Sequence, residues 1–207
     1  AAGSGGRGIL SISSDENDHY IVQVKLRKQA ATSNDLFSCV SSEILKGFAH
    51  LIERAEVNKI LAETYIVQYR IPLLEINDCP FDIRVMAQRK DHSPWTVTGK
   101  LVKLASCGYT ITNVNLGASI LPIETALQRT SLKHRPQQTL LSRLDQVALR
   151  AAERLQQCYP DTRIIGFDMC FDTEGKVWII EANNSPHDHV FLLLEDKTMF
   201  ETIQKYK

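Results

Sequence analysis

The stretch that decides the fold is Ile164-Ile165-Gly166-Phe167-Asp168-Met169-Cys170-Phe171-Asp172-Thr173-Glu174-Gly175-Lys176-Val177-Trp178-Ile179-Ile180-Glu181-Ala182-Asn183-Asn184-Ser185-Pro186. Two apolar runs flank the polar turn Asp172-Thr173-Glu174-Gly175, which predicts antiparallel strands over 163–171 and 176–182. Asp-x-x-Gly is ordinary turn chemistry, so Asp172 is assigned to the turn. Asp168, Glu181 and Asn183 interrupt the apolar runs. If Asp172 opposes Gly175, Asp168 sits opposite Ile179, and Glu181 and Asn183 share its face because side chains repeat every two residues. A one-residue bulge at Gly175 would reverse that parity. Two carboxylates and an amide oxygen are hard ligands suited to Mg²⁺, and acids inside apolar strands are costly unless something neutralises them. The competing reading is an edge hairpin whose acids face water.

Working outward, Thr139–Gln157 carries Leu140, Leu141, Leu144, Val147, Ala148, Ala151, Ala152 and Leu155 on one side, an amphipathic helix. Phe81–Arg89 and Trp95–Ala105 read as a hairpin across residues 90–94, and Tyr65–Leu74 as a strand running into Pro72. Ser33–Arg54 has apolar residues at helical spacing, with Ser33 or Asn34 as a cap. Ile9–Ser13 and Tyr20–Leu26 are expected to be strands joined by Ser14-Asp15-Glu16-Asn17-Asp18. Residues 106–138 read as loop-rich with a short helix near Ile123–Arg129, and a last helix spans roughly Asp196–Lys205, with Met199, Phe200 and Ile203 inward. Hairpins and separated helices, without βαβ alternation, make the class α+β.

Lys plus Arg equals Asp plus Glu at 24 each, so the charge balance lends no footprint for nucleic acid or anionic lipid. The longest apolar runs, such as Val190–Leu194, fall far short of a membrane span, so neither nucleic acid nor a membrane is an expected partner. Cys39, Cys79, Cys107, Cys158 and Cys170 form no CxxC pair; reduced thiols in a cytoplasmic protein are the expectation. The chain starts without Met and inside a glycine loop, which reads as a piece of something longer.

That loop, Gly3-Ser4-Gly5-Gly6-Arg7-Gly8, matches G-x-G-x-x-G, but a dinucleotide site needs a helix next, and Ile9-Leu10-Ser11-Ile12 reads as extended. A strand-loop-strand flap over phosphates remains, with Arg7 adding charge, beside the alternative of a flexible terminal linker. Val22-Gln23-Val24-Lys25 is similar to the strand lysine of protein kinases, yet the kinase catalytic-loop and DFG motifs are absent.

Taken in order, the chain resembles the ATP-grasp enzymes. The run is the Gly3–Gly8 flap, Ile66-Val67-Gln68-Tyr69-Arg70-Ile71, Asp82-Ile83-Arg84-Val85, Thr112-Asn113 with Gly117, Gly166-Phe167-Asp168, and Glu181-Ala182-Asn183-Asn184-Ser185-Pro186. Phe81–Gln88 followed by Trp95-Thr96-Val97-Thr98-Gly99 is similar to the endospore coat-associated family of the YheC/YheD type. The resemblance implies an ATP-grasp fold with its N-terminal part missing: residues 1–71 a partial small lobe with flap and adenine hinge, and 72–207 the large C-terminal lobe with the Mg site.

The resemblance further implies that Gly3, Ser4, Gly5, Gly6, Arg7 and Gly8 cover the triphosphate. The backbone of Tyr69, Arg70 and Ile71 would read adenine, and Asp82 would lie near the ribose. Arg84 would face phosphate or the substrate carboxylate, Asn113 would approach the γ-phosphate, and Lys103 stands where many ATP-grasp ligases have Arg. A Lys keeps the charge but loses the bidentate fork. Asp168, Glu181 and Asn183 would hold Mg²⁺, with Mn²⁺ as a substitute. From the strands alone, Arg84 and Lys103 read equally as a solvated face.

The implied activity is that of an ATP-dependent carboxylate–amine or carboxylate–thiol ligase working through an acyl phosphate, on small-molecule or peptide carboxylate and amine substrates. Rival readings are a non-catalytic nucleotide-binding coat or scaffold protein and an ATP-grasp small-molecule kinase. Assembly into a homo-oligomer stays open, and the expected location is the bacterial cytoplasm or the spore coat. His187 and His189 read as incidental neighbours more readily than as a metal pair, or as contacts to the acceptor substrate.

Overall fold

The computed structural model describes the backbone of residues 11–14, 19–23 and 36–40, and residues 71–91, 93–106, 112 and 117–207 throughout. The chain divides into two compact units, Ala1–Arg70 with Cys107–Ile111, and Ile71–Ser106 with Thr112–Lys207.

In the first unit, β1 (Ser11–Ser14), β2 (His19–Gln23) and β3 (Leu36–Val40) form an antiparallel sheet in that order. The β1–β2 hairpin lies where the sequence predicts one. The third strand corrects the helix expected over Ser33–Arg54 at Leu36–Val40, because these residues pair with Gln23 to His19. A five-residue apolar stretch fits either period, and the free edge of β2 supplies backbone partners that local spacing does not reveal. Residues 33–35 and 41–54 of that predicted helix lie outside the described residues, as do 65–70 of the predicted strand Tyr65–Leu74. Its described remainder forms no strand beyond an isolated bridge from Leu73 to Asp172.

The second unit is built on an antiparallel sheet of order β7-β6-β5-β8-β9, with β4 paired to β5. Its strands are β4 (Glu75–Ile76), β5 (Cys79–Gln88), β6 (Thr96–Leu104), β7 (Ser119–Leu121), β8 (Ile164–Phe171) and β9 (Val177–Asn183). Asn77 and Asp78, at φ 51° and 60°, make the two-residue turn that leads into β5; both side chains tolerate the left-handed region. The predicted β5–β6 hairpin forms, with a bulge beside Met86 and Ala87. Helices α1 (Ile123–Gln128) and α2 (Gln137–Cys158) follow β7, a strand in the segment read as loop.

Alternation gives the sheet two unlike faces. Phe81, Ile83 and Val85 of β5 and Ile165, Phe167, Met169 and Phe171 of β8 are buried with Leu140, Leu144, Ala148 and Ala152 of α2. Those helical residues are spaced by four, so one stripe meets the sheet. Burying each large side chain contributes roughly 1.5–3 kcal/mol before chain entropy is counted, which makes this side the scaffold.

On the other face, one end is closed by a 3₁₀ turn (His189–Leu193) and α3 (Thr198–Lys205). Phe191, Leu194 and Ile203 pack there on Met86 and Leu101. Gly99 is required beneath them, since a Cβ there would meet Phe191 Cε1 at 2.8 Å and Ile203 Cδ1 at 3.0 Å. The other end of this face carries the charges.

The β8–β9 register differs from the sequence expectation. Asp172 N–H bonds to the Lys176 carbonyl and Gly175 N–H to the Asp172 carbonyl, with Gly175 at φ 79°. The loop is therefore three residues, Thr173-Glu174-Gly175, with glycine at the left-handed position. Phe171 then opposes Val177 and Met169 opposes Ile179, which reverses the expected parity. A second irregularity between Asp168 and Met169 reverses it again, so Asp168 faces Glu181 and not Ile179, and Gly166 faces Asn183. Asp172 accepts from Glu174 N–H (3.0 Å), Lys176 N–H (2.9 Å) and Trp178 Nε1–H (2.9 Å), which fixes the turn.

Candidate functional site

Three strands bring four oppositely charged side chains together on the open face. Arg84 and Asp168 are directly paired across β5 and β8, and Asp82 and Lys103 across β5 and β6. Asp82 and Arg84, two residues apart, point the same way. Arg84 grips Asp168 bidentately, Nε–H to Oδ1 at 2.7 Å and Nη2–H to Oδ2 at 3.2 Å. The Lys103 ammonium is shared, 3.0 Å from Asp82 Oδ1 and 3.1 Å from Asp168 Oδ2. Thr112 donates its hydroxyl to Asp82 Oδ2. Asp82 Oδ1 is shielded from solvent, and Lys103 balances its charge at 3.0 Å.

The two acids are driven in opposite directions. Burial pushes the Asp82 carboxyl up to about 6; the charge of Lys103 opposes this and the negative charge of Asp168 adds to it. Burial also works against ionised Asp168, but the Arg84 hydrogen bonds and the Lys103 charge outweigh it and hold the carboxyl below the usual range. Arg84 is raised likewise: burial disfavours its charge, and the bonds to Asp168 prevail. At neutral pH this is a cluster of ionised groups. Cys170, on the same face near Asp82, is pushed up to about 12 by burial and is an inert thiol.

Glu181, opposite Asp168 on β9, is exposed, and its carboxylate has no hydrogen-bond partner among the described residues. Asn183 Oδ1 accepts from Ser185 N–H at 2.9 Å and retains a second lone pair. The turn after β9 lies over Gly166, where a Cβ would meet Pro186 Cβ at 2.4 Å and Arg84 Cδ at 3.6 Å. Asp188, buried just beyond, is clamped by Lys207 Nζ at 2.6 Å and by the Gln204 amide, which ties this segment to α3.

The structure thus gathers Asp82, Arg84, Lys103 and Asp168 into one cluster, with Glu181 and Asn183 on the same face at its margin. Ile71 is half-buried and outside any strand. Gly3, Ser4, Gly5, Gly6, Arg7, Gly8, Tyr69, Arg70 and Asn113 lie outside the described residues. Thr112 enters the sequence reading only as a member of the Thr112-Asn113 motif, with no role of its own, and Asp188 has none; Asp188 stands between two histidines that draw more notice. His189 is largely exposed with Nδ1 3.4 Å from Asp188, and no group of three His, Cys, Asp or Glu side chains among the described residues is placed to hold a metal. The expected donor set has only two carboxylates and needs the amide.

As oxygen donors, Asp168, Glu181 and Asn183 fit a hard divalent cation. Asp168 is ionised before any metal arrives, Glu181 is accessible, and Asn183 keeps a lone pair.

An α+β domain that presents paired carboxylates and paired cations on one open sheet face is suited to anionic, metal-bound substrates. The family model described as "YheC/D like ATP-grasp" matches residues 1–207, and the chain belongs to that family. It is similar to the endospore coat-associated protein YheC of Bacillus subtilis (strain 168), 21% identical over 187 residues, covering 90% of this chain and 47% of that protein. It is also similar to the endospore coat-associated protein YheD of the same organism, 27% identical over 128 residues, covering 61% of this chain and 27% of that protein. The chain spans less than half the length of either relative. No helix among the described residues is long and apolar enough to cross a membrane, and among the described cysteines Cys158 and Cys170 are free thiols.

Proposed function

We propose that the chain is the catalytic part of an ATP-dependent ligase that activates a carboxylate as an acyl phosphate and passes it to an amine or thiol. The observation that carries this reading is the Arg84–Asp168–Lys103–Asp82 cluster on an open sheet face of an ATP-grasp family member. Residues 1–71 would act as the small lobe, with the Gly3–Gly8 flap over the triphosphate and residues 69–71 at the adenine. Residues 72–207 would be the large lobe. Asp168, Glu181 and Asn183 would hold Mg²⁺, which would supply positive charge to offset that of a bound phosphate.

The chain's own part is orientation and charge. Arg84 has a planar fork matched to a carboxylate or phosphoryl group, and Lys103 is a point charge beside it. Asn183 is held by Ser185 N–H and the Pro186 turn. No side-chain nucleophile is required, and the Cys170 thiol on this face is inert. Positioned charges would supply most of the rate enhancement.

The test is nucleotide turnover with Mg-ATP across a panel of carboxylates paired with amines or thiols. ADP and phosphate release with a condensation product is the expected result; a phosphorylated product would instead mark a kinase. Glu181→Ala is expected to abolish Mg-dependent turnover with the fold intact, since Glu181 is exposed. Normal turnover in that variant sinks the site assignment. The relatives' description as endospore coat-associated favours a second reading, a coat component that binds nucleotide without turning it over. Nucleotide binding with no release of ADP or phosphate across the whole panel would support it.

A further inference from the structure

We propose that Arg84 and Lys103 are resident counter-ions of Asp168, so that this face takes up a divalent cation only together with an anionic group, Asp82 keeping hold of Lys103 when it leaves Asp168. The proposal rests on the reading of this face as a metal and phosphate site and adds how the two ligands are coupled.

Both Asp168 oxygens are already engaged, Oδ1 by Arg84 Nε and Oδ2 by Arg84 Nη2 and Lys103 Nζ. Two cations therefore stand within bonding distance of the carboxylate that a metal needs. Arg84, Lys103, Asp82, Asp168 and Glu181 together carry one net negative charge. A divalent cation bound alone would turn that into one net positive charge in a partly buried cluster and would strip Arg84 of its anionic partner. Unpaired buried charge is strongly disfavoured. A phosphate or carboxylate that arrives with the metal removes both penalties, because it neutralises the excess and offers Arg84 a new bidentate partner.

Asp82 makes the exchange workable for Lys103. Its Oδ1 is buried and sits 3.0 Å from the ammonium, with no other donor among the described residues. Lys103 can thus release Asp168 without becoming unpaired. Thr112 holds the other oxygen of Asp82 and fixes its orientation. Coupling of this kind is reciprocal, so the anion must tighten the metal by the factor with which the metal tightens the anion.

The test follows Mn²⁺ by the loss of its free electron-paramagnetic-resonance signal, with the chain alone and with a non-hydrolysable ATP analogue, adenylyl imidodiphosphate. Wild type is expected to bind Mn²⁺ alone weakly and at least about tenfold more tightly with the analogue, after correction for Mn²⁺ bound to free analogue. Lys103→Met and Arg84→Met should each tighten Mn²⁺ alone by about tenfold and shrink the effect of the analogue. Asp82→Asn should do the opposite, because Lys103 then rests wholly on Asp168. Arg84→Met serves if Lys103→Met, which leaves Asp82 without its counter-charge, fails to fold by circular dichroism.

If Mn²⁺ binds through Asp168, as shown by its loss in Asp168→Asn, yet neither cation variant tightens Mn²⁺ alone, the counter-ion proposal is overturned and the metal site stands. If Asp168→Asn leaves Mn²⁺ binding unchanged with the analogue present, the metal-site reading fails and the proposal fails with it.

Discussion

Replacing Gly166 by alanine tests whether the turn after β9 is held over the charged face by close contact. The new Cβ would lie 2.4 Å from Pro186 Cβ and 3.2 Å from Pro186 Cγ. Ordinary carbon contacts are about 3.5–4 Å, so one partner must retreat by more than about 1 Å. Pro186 is a rigid ring, and β8 is held by ladders on both sides, so the turn is what gives. Overpacking of this size costs about 1–3 kcal/mol, offset by about 0.5–1 kcal/mol because alanine is less free than glycine in the unfolded chain. A net loss of about 1–2 kcal/mol is expected, which is roughly 0.5–1 M in urea midpoint. Both tryptophans, Trp95 and Trp178, belong to the second unit, so their fluorescence reports its unfolding. Asn183 and the Arg84 side chain border the displaced turn, so Mg-dependent nucleotide turnover should fall by about 10²-fold, as misplacements near 1 Å do elsewhere. A Pro186→Gly change in the same chain should recover much of the stability, as a double-mutant cycle would show. Wild-type stability and turnover in Gly166→Ala would refute the packing argument.

The burial of Asp82 makes its carboxyl a better proton acceptor in the folded state, at about 6, than in the unfolded chain. The native state therefore binds the extra proton between roughly pH 4 and 6, and this group's contribution to stability falls as pH rises through that window. Asp82→Asn removes the penalty, so its stability relative to wild type should climb by about 2–3 kcal/mol from pH 4 to 7; a flat difference in urea titrations across that range would contradict it. Asp188→Ala should destabilise the second unit by about 1–3 kcal/mol, since Gln204 and Lys207 lose a buried acceptor. Limited proteolysis should then cut first between residues 184 and 197, and an unchanged cleavage pattern would argue against the clamp.

Much of the second unit was legible before any coordinates. The spacing of Leu140, Leu144, Ala148 and Ala152 defines α2, and the alternation in Phe81–Gln88 defines β5, because one apolar face determines each element's period. The first unit was harder to read. Leu36-Phe37-Ser38-Cys39-Val40 suits helix and strand alike, and its pairing with β2 is a tertiary event. Of the candidate site, the charged residues themselves could be named, since acids and bases in apolar strands stand out. Their mutual contacts could not, because Asp82, Lys103 and Asp168 are far apart in the chain and meet only through the order β6-β5-β8.

The hairpin around Asp172 divides the two sources of information. Composition alone determined that two apolar strands meet at an Asp-x-x-Gly turn and that Asp168, Glu181 and Asn183 are their polar exceptions. It could not determine which residues face one another. Gly175, in the left-handed region, lengthens the loop by one residue and would have put Glu181 on the wrong face; the irregularity beside Asp168 restores it. Each one-residue shift inverts a strand with a two-residue repeat, so the face on which an acid appears depends on the sum of all shifts along the ladder. That sum is a property of the assembled sheet, which is why Asp168 meets Glu181 by a route that the local sequence does not reveal.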